Sequence, residues 1–322
     1  MILETILEKM NVAVLALNSD NKIIMSNAAA KKYYKFDKDG VAVTSVIKGA
    51  EFLQNIEFAQ TSKETIVFDS TDGETLEIKI TSADSDDVRL IITAQDVTKI
   101  RKLQKEKQDF FANASHELNT PLTSILGYTE ILKAEKVYKE DFINTIAKQG
   151  ARMQSLIKDM LMLSELEGKP ELPVEPVDLM QIASDVIAAN KPKAVKKEIE
   201  IIDELQSVVI SANKEKITEL VSNLVDNAIK YNNIGGEVLV QVYQKEKKAV
   251  IKVRDNGIGI PKKSITRIFE RFYRVDKSRS KQEGGTGLGL AIVKHICNLY
   301  NATYKVISRE GKSTEIAIRF PL

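Results

Sequence analysis

The sequence holds one cysteine and two histidines in 322 residues. A single thiol, Cys297, cannot form an internal disulfide, so a reducing compartment fits. No apolar run approaches the ~20 residues that a membrane span needs, and no signal peptide opens the chain, which reads as soluble. Net charge is also missing: 47 basic residues face 45 acidic ones. That balance removes any argument for a nucleic-acid or polybasic membrane surface. Residues 1 to 97 contain neither histidine nor cysteine, which excludes a histidine-ligated haem and a cysteine–flavin adduct there. A chain of this length predicts two or three domains.

The first of these, residues 1–97, reads as a small α+β unit. An amphipathic start (Ile2, Ile6, Leu7 and Met10) leads into an apolar run, Val12 to Leu17, and the polar turn Asn18 to Asn21 reverses the chain into Ile23-Ile24-Met25. Thr71-Asp72-Gly73 separates Glu64–Phe68 from Thr75–Ile80 as a hairpin turn would, and Ser85-Asp86-Asp87 introduces Val88–Thr93. Strand, short helices and three antiparallel strands ending at Asp96-Val97-Thr98 resemble a PAS sensor domain. A small dimerisation module without a ligand is the alternative.

From Lys99 no glycine occurs before Gly127, and the composition turns to Lys, Arg, Gln and Glu. Leu103, Phe110, Phe111, Ala114, Leu118, Leu122 and Ile125 recur at three- and four-residue steps, predicting a helix with one apolar stripe. After a polar break at Ala134–Lys139, a second helix carries Phe142, Ile146, Met153, Ile157 and Met160. One such hairpin leaves a stripe uncovered, so two copies are expected to pair as a four-helix bundle. In the first helix, His116 stands beside Glu117. The hydroxyl of Thr120 follows one turn later, and then comes a helix-breaking residue, Pro121.

Gly168, Pro170, Pro173 and Pro176 mark a linker over 168–176, and residues 177–322 read as an α/β domain. Asp178 caps a helix with Leu179, Ile182, Ala183, Val186 and Ile187 on its core face. Strands are predicted at Ile199–Ile202 and Val208–Ile210. The helix from Lys214 to Tyr231 has an apolar face (Ile217, Leu220, Val221, Leu224, Val225 and Ala228) opposite a polar stripe of Glu219, Asn223, Asn227, Lys230 and Tyr231. Alone, that stripe reads as a solvated face. The strand Ala249–Asp255 changes the reading, because Asp255 shares the parity of Ala249, Ile251 and Val253 and projects with them. A carboxylate there needs hydrogen-bond donors, and adenine's exocyclic amine is one. The glycines after it, Gly257 and Gly259, let backbone approach a ligand, and Gly284 to Leu290 runs into a helix as a phosphate-binding loop can. His295 and Cys297, on that last helix, read as packing or surface residues.

These segments resemble sensor histidine kinases of two-component systems. Ser115-His116-Glu117-Leu118-Asn119-Thr120-Pro121-Leu122 is similar to the phosphoacceptor box. Asn223 to Tyr231 resembles the N box, Asp255 to Gly259 the G1 box, Phe269 to Arg274 the F box and Gly285 to Leu290 the G2 box. The resemblance covers about 98–322. It implies a multidomain α+β protein: a PAS-like domain, a helical hairpin over 98–167 that dimerises into a four-helix bundle, and an α/β sandwich of Bergerat type shared with gyrase-like ATPases. It implies that His116 accepts phosphate from ATP, with Glu117 as general base, and that Thr120 orients a water for dephosphorylating the response regulator. It further implies that Asn223 and Asn227 hold Mg²⁺ and that Asp255 reads adenine. Lys230, Tyr231, Gly257, Gly259, Ile260, Phe272, Gly285, Thr286, Gly287, Leu288 and Gly289 would line the nucleotide, Arg274 would touch its γ-phosphate, and residues 261–284 would form a lid. The implied partners are a second copy of the chain and a response regulator, with no nucleic acid and no direct membrane contact. The implied location is cytoplasmic, as a free protein or as the cytoplasmic portion of a plasma-membrane sensor with spans upstream.

Many relatives carry Arg or Lys where this chain has Asn119. An ATPase of the same fold and a non-catalytic dimeric scaffold are the competing readings. The first would need a glutamate one turn before Asn227, where this sequence has Asn223.

Overall fold

Asn27 shows how the first part of the chain is tied together. The computed structural model describes residues 2–70, 75–83, 85, 87–135, 139–168, 172–275 and 285–322. The turn at Thr71-Asp72-Gly73, Asp86, the middle of the hairpin loop, Lys169-Pro170 and the 276–284 part of the predicted lid lie outside the described residues. The chain divides into two units, Met1–Asp109 and Phe110–Leu322.

In the first unit, α1 (Ile2–Lys9) precedes β1 (Ala13–Leu17) and β2 (Ile23–Ser26). The helices α2 (Ala28–Tyr34), α3 (Val43–Val46) and α4 (Ala50–Ser62) lead to β3 (Ile66–Ser70), β4 (Leu76–Ser82) and β5 (Leu90–Asp96). The strands pair antiparallel in the order β2-β1-β5-β4-β3. Alternation puts Ile78, Ile80, Leu90, Ile92 and Ala94 on the face that Phe52, Ile56 and Ala59 of α4 help to bury. Asn27 is buried and fully bonded. Its amide donates to the carbonyls of Leu7 and Val12, and its oxygen accepts from Val14 and Ala30, at 2.8 to 3.0 Å. An Asn27→Ala variant takes this partner from the Val12 carbonyl and from the N–H groups of Val14 and Ala30, while the Leu7 carbonyl keeps the N–H of Met10. It should lower the unit's stability by about 3 kcal/mol, read as an earlier thermal transition, because each unsatisfied buried group costs ~1–3 kcal/mol.

The long helix α5 (Thr98–Glu135) starts on a firm cap. Asp96 accepts from the N–H of Thr98, whose hydroxyl accepts from the N–H of Thr75. Arg101 then pairs with Asp69 at 2.8 Å and Glu77 at 3.3 Å.

In the second unit, the remainder of α5 and α6 (Glu140–Glu167) form the predicted hairpin. Then follow β6 (Glu175–Asp178), α7 (Leu179–Lys196), β7 (Glu200–Leu205), β8 (Val209–Ala212), α8 (Lys214–Lys230), β9 (Glu237–Lys245), β10 (Lys248–Asp255), α9 (Gly289–Leu299), β11 (Thr303–Arg309) and β12 (Ser313–Pro321). The main sheet runs β11-β12-β10-β9-β7, antiparallel except for β7 beside β9. Val240, Ile251 and Ile318 join Leu220, Val221 and Leu224 of α8 in one core, which also takes in Leu156, Leu163 and Leu166 of α6.

One expectation needs correction. The stretch 168–176 is not linker to its end, because Glu175 and Pro176 belong to β6, paired with Ala212 and Ser211 of β8. Proline is tolerated on such a short ribbon, where no second neighbour needs its missing N–H. The predicted strands 199–202 and 208–210 are both present as β7 and β8, the first in the main sheet and the second paired with β6.

Candidate nucleotide and phosphoacceptor site

Helix α8 is capped by Asn213, whose side chain accepts from the N–H of Lys216. The apolar stripe goes to the core. The opposite stripe, with Glu219, Asn223, Asn227, Lys230 and Tyr231, lines a cavity of about 510 Å³, a size suited to a nucleotide. Asp255 lies on another wall, only 8% exposed. It accepts hydrogen bonds from the N–H groups of Gly257 and Thr314. Burial outweighs those bonds and pushes its carboxyl up to about 6.

The glycines of the G1 segment serve a different purpose from the one expected. A Cβ on Gly257 would strike the backbone of Tyr231 and Asn232, and one on Gly259 the backbone of Arg309 and Glu310. Gly259 also has φ +64°. These glycines admit the protein's own chain; Gly257 is not on the cavity wall, whereas Gly259 lines it as expected. Later glycines face the cavity too: Gly285 leaves room for the ammonium of Lys230, and Gly289 for the amide oxygen of Asn223. Ile260, Thr286 and Gly287 line it as well.

Two expected nucleotide contacts point away. Leu288 is fully buried in the core. Phe272 adopts φ +60°, donates its N–H to Gly287 and turns its ring onto Phe110 of α5, 5.6 Å between centroids. Its neighbour Arg274 does reach the cavity. Its guanidinium donates to the carbonyl of Gly285 and to Glu117 at 3.1 Å.

The amide of Asn223 donates to the backbone and carboxylate of Glu219, which aims its oxygen toward Gly289. Glu219, Asn223 and Asn227 together present hard oxygen donors, which fit Mg²⁺.

His116 stands exposed on α5 and is not on the cavity wall. The hydroxyl of Thr120 donates to its carbonyl at 3.1 Å. Pro121 withholds the N–H that would serve the carbonyl of Glu117. Glu117 is held by Arg152 of α6 as well as by Arg274.

Sequence reasoning missed the contribution of α6. Ser155, Lys158 and Asp159 line the cavity, with Asp159 accepting from the hydroxyl of Thr286 at 2.7 Å and Lys158 3.4 Å from Glu219. Burial raises the Asp159 carboxyl, against the Thr286 bond that lowers it. No local pattern flags these residues, because their partners lie 61 and 127 positions away. The other unused candidates are as read: Cys297 is buried in the core, with its thiol pushed up to about 12 by burial, and His295 is half-buried.

Residues 212–322 match the family described as histidine kinase-, DNA gyrase B- and HSP90-like ATPase, and residues 106–169 match the His Kinase A (phospho-acceptor) domain. The phosphate regulon sensor protein PhoR of Pseudomonas aeruginosa is 33% identical, over 96% of this chain and 71% of its own length. The sensor protein kinase WalK of Staphylococcus haemolyticus is 37% identical over 72% of this chain, and the aligned part is 39% of WalK. The chain thus spans well under two thirds of that relative. The solved structure of histidine kinase ThkA in complex with response regulator TrrA shares the fold at a TM-score of 0.54 and 21% identity, covering 98% of this chain and 97% of that one.

Proposed function

As the chain belongs to the sensor histidine kinases of two-component systems, we propose that it moves the γ-phosphoryl group of ATP to His116 and then to an aspartate of a response regulator. The observation that carries this reading is Arg274: one guanidinium reaches both the nucleotide loop and the carboxylate next to His116. It supports a geometry in which the nucleotide end and the phosphoacceptor end can be served together.

In this reading Asp255 takes the adenine amine. Lys230, Thr286 and the N–H groups opening α9 hold the phosphates. Glu219, Asn223 and Asn227 would hold Mg²⁺, which neutralises phosphate charge when bound. One ring nitrogen of His116 attacks phosphorus, forming the P–N bond as the bond to ADP breaks. Glu117 takes the proton from the other ring nitrogen. The second step passes the phosphoryl group from nitrogen to the regulator's carboxylate and leaves His116 free again.

The first unit, we infer, is a PAS-like sensor, which its β2-β1-β5-β4-β3 order with helices between β2 and β3 supports. The hairpin pairs with a second copy through apolar residues that one chain leaves exposed, among them Leu122, Leu126, Ile157 and Leu161. Among the described residues no helix is long and apolar enough to cross a membrane. We infer a cytoplasmic location, the side on which ATP and a response regulator would be met.

Incubation with γ-labelled ATP tests the reading. A kinase keeps an acid-labile, alkali-stable label, an ATPase releases phosphate, and a scaffold does neither.

Thr120 carries a further expectation. Its hydroxyl sits one turn from His116, where it can orient a water toward a docked phospho-regulator. A Thr120→Ala variant should autophosphorylate at the normal rate and lose at least about tenfold in phosphatase activity, the scale of a removed positioning contact. A parallel fall in both activities would make Thr120 structural.

A further inference from the structure

We propose that Arg152 is a positioning residue for Glu117, holding the carboxylate in place while Arg274 comes and goes. The proposal rests on Glu117 acting as general base. The Nη2 atoms of Arg152 and Arg274 lie 2.9 and 3.1 Å from the same oxygen, Oε2 of Glu117. The three side chains are 12%, 5% and 18% exposed, in the order Arg152, Arg274, Glu117, so solvent screens the cluster only weakly.

The two arginines are not equivalent. Arg152 is on α6, the partner helix of α5, and travels with His116 as part of one hairpin. Arg274 belongs to the α/β domain, lines the nucleotide cavity and already donates to the glycine loop through Gly285. A triphosphate in that cavity offers Arg274 several charged oxygens. Glu117 offers it one oxygen that another guanidinium already occupies. Nucleotide therefore draws Arg274 away, and Arg152 is left as the constant partner. That partner fixes the rotamer of Glu117, so that the proton leaving His116 meets an aimed oxygen as the P–N bond forms. An unpartnered glutamate would sample several rotamers, and proton transfer depends on reach within ~3 Å.

The test uses the intact chain and four variants: Arg152→Gln, Arg152→Lys, Glu117→Gln and the double variant Arg152→Gln with Glu117→Gln. Autophosphorylation is measured against ATP concentration. Arg152→Gln should lose about ten- to a hundredfold in kcat, with KM for ATP within about twofold, because a misaimed base costs chemistry and not binding. Arg152→Lys, which keeps the charge but not the planar fork, should recover to within about tenfold of the parent. The double variant should be no slower than Glu117→Gln alone, since one residue acts through the other.

A raised KM with normal kcat, a normal Arg152→Gln enzyme, or additive losses in the double variant would each overturn the proposal. If Arg152→Gln fails to bind ATP through misfolding, Arg152→Lys decides: intact ATP binding without labelling would also sink it. Failure of the underlying reading looks different. A fully active Glu117→Gln enzyme removes the general base itself, whereas an inactive Glu117→Gln beside a normal Arg152→Gln removes only the positioning role.

Discussion

Replacing Asp255 by asparagine should weaken ATP binding by about ten- to a hundredfold while leaving the ligand-free protein at least as stable as the parent. The first half follows from donor and acceptor chemistry. Adenine's amine needs an acceptor, and an amide that turns its NH₂ toward that amine creates a mismatched buried contact worth ~1–3 kcal/mol. The second half follows from burial, which raises the carboxyl of Asp255 to about 6. A folded-state value above the ordinary ~3.9 means that the native protein holds this proton more tightly than the unfolded chain. Its contribution to stability is therefore full below pH ~4 and is lost as the pH rises through about 6. At neutral pH the ionised carboxylate costs on the order of 3 kcal/mol, which asparagine avoids. ATP affinity should also fall as the pH drops below 6, when the acceptor becomes a protonated acid. Calorimetric titration with ATP and thermal unfolding without it would measure the two halves. Unchanged ATP affinity in the variant would show that Asp255 does not read the base.

His116→Gln should abolish phosphoryl labelling, a loss of at least about a thousandfold. Among the described residues the cavity wall carries no histidine, and uncatalysed attack by a glutamine amide is negligible. ATP affinity should stay within about twofold, because the side chain is exposed on α5 and is not on the cavity wall. Acid-labile label persisting in the variant, found by gel autoradiography, would move the phosphoacceptor elsewhere.

How far the sequence led depends on how local each signal is. The two faces of α8 were legible because a helix repeats every 3.6 residues and its polar stripe was chemically odd. Asp255 was legible because strand parity put a carboxylate among Ala249, Ile251 and Val253. The strands of the first unit were legible from alternation and turn residues. Contacts between distant segments were not. Nothing in residues 150 to 160 announces that Arg152 will meet Glu117 or that Asp159 will meet Thr286. Motif reading also did not foresee how side chains turn within the boxes. Phe272 belongs to the F box yet serves Phe110, Leu288 belongs to G2 yet serves the core, and Gly257 accommodates Tyr231 rather than a ligand. A box tells which backbone will surround a ligand. The orientation of each side chain is decided by packing that the box does not contain.

The burial of Cys297 has a practical corollary. The one thiol of the chain is 0% exposed, and its sulfur stays protonated at any ordinary pH. The native protein is thus silent toward maleimides and spin-label reagents, and reacts only when its core opens. A cysteine introduced on α6 or on the α/β domain could therefore be labelled without first removing the natural one, and the slow reaction of Cys297 itself would serve as a built-in clock for global unfolding.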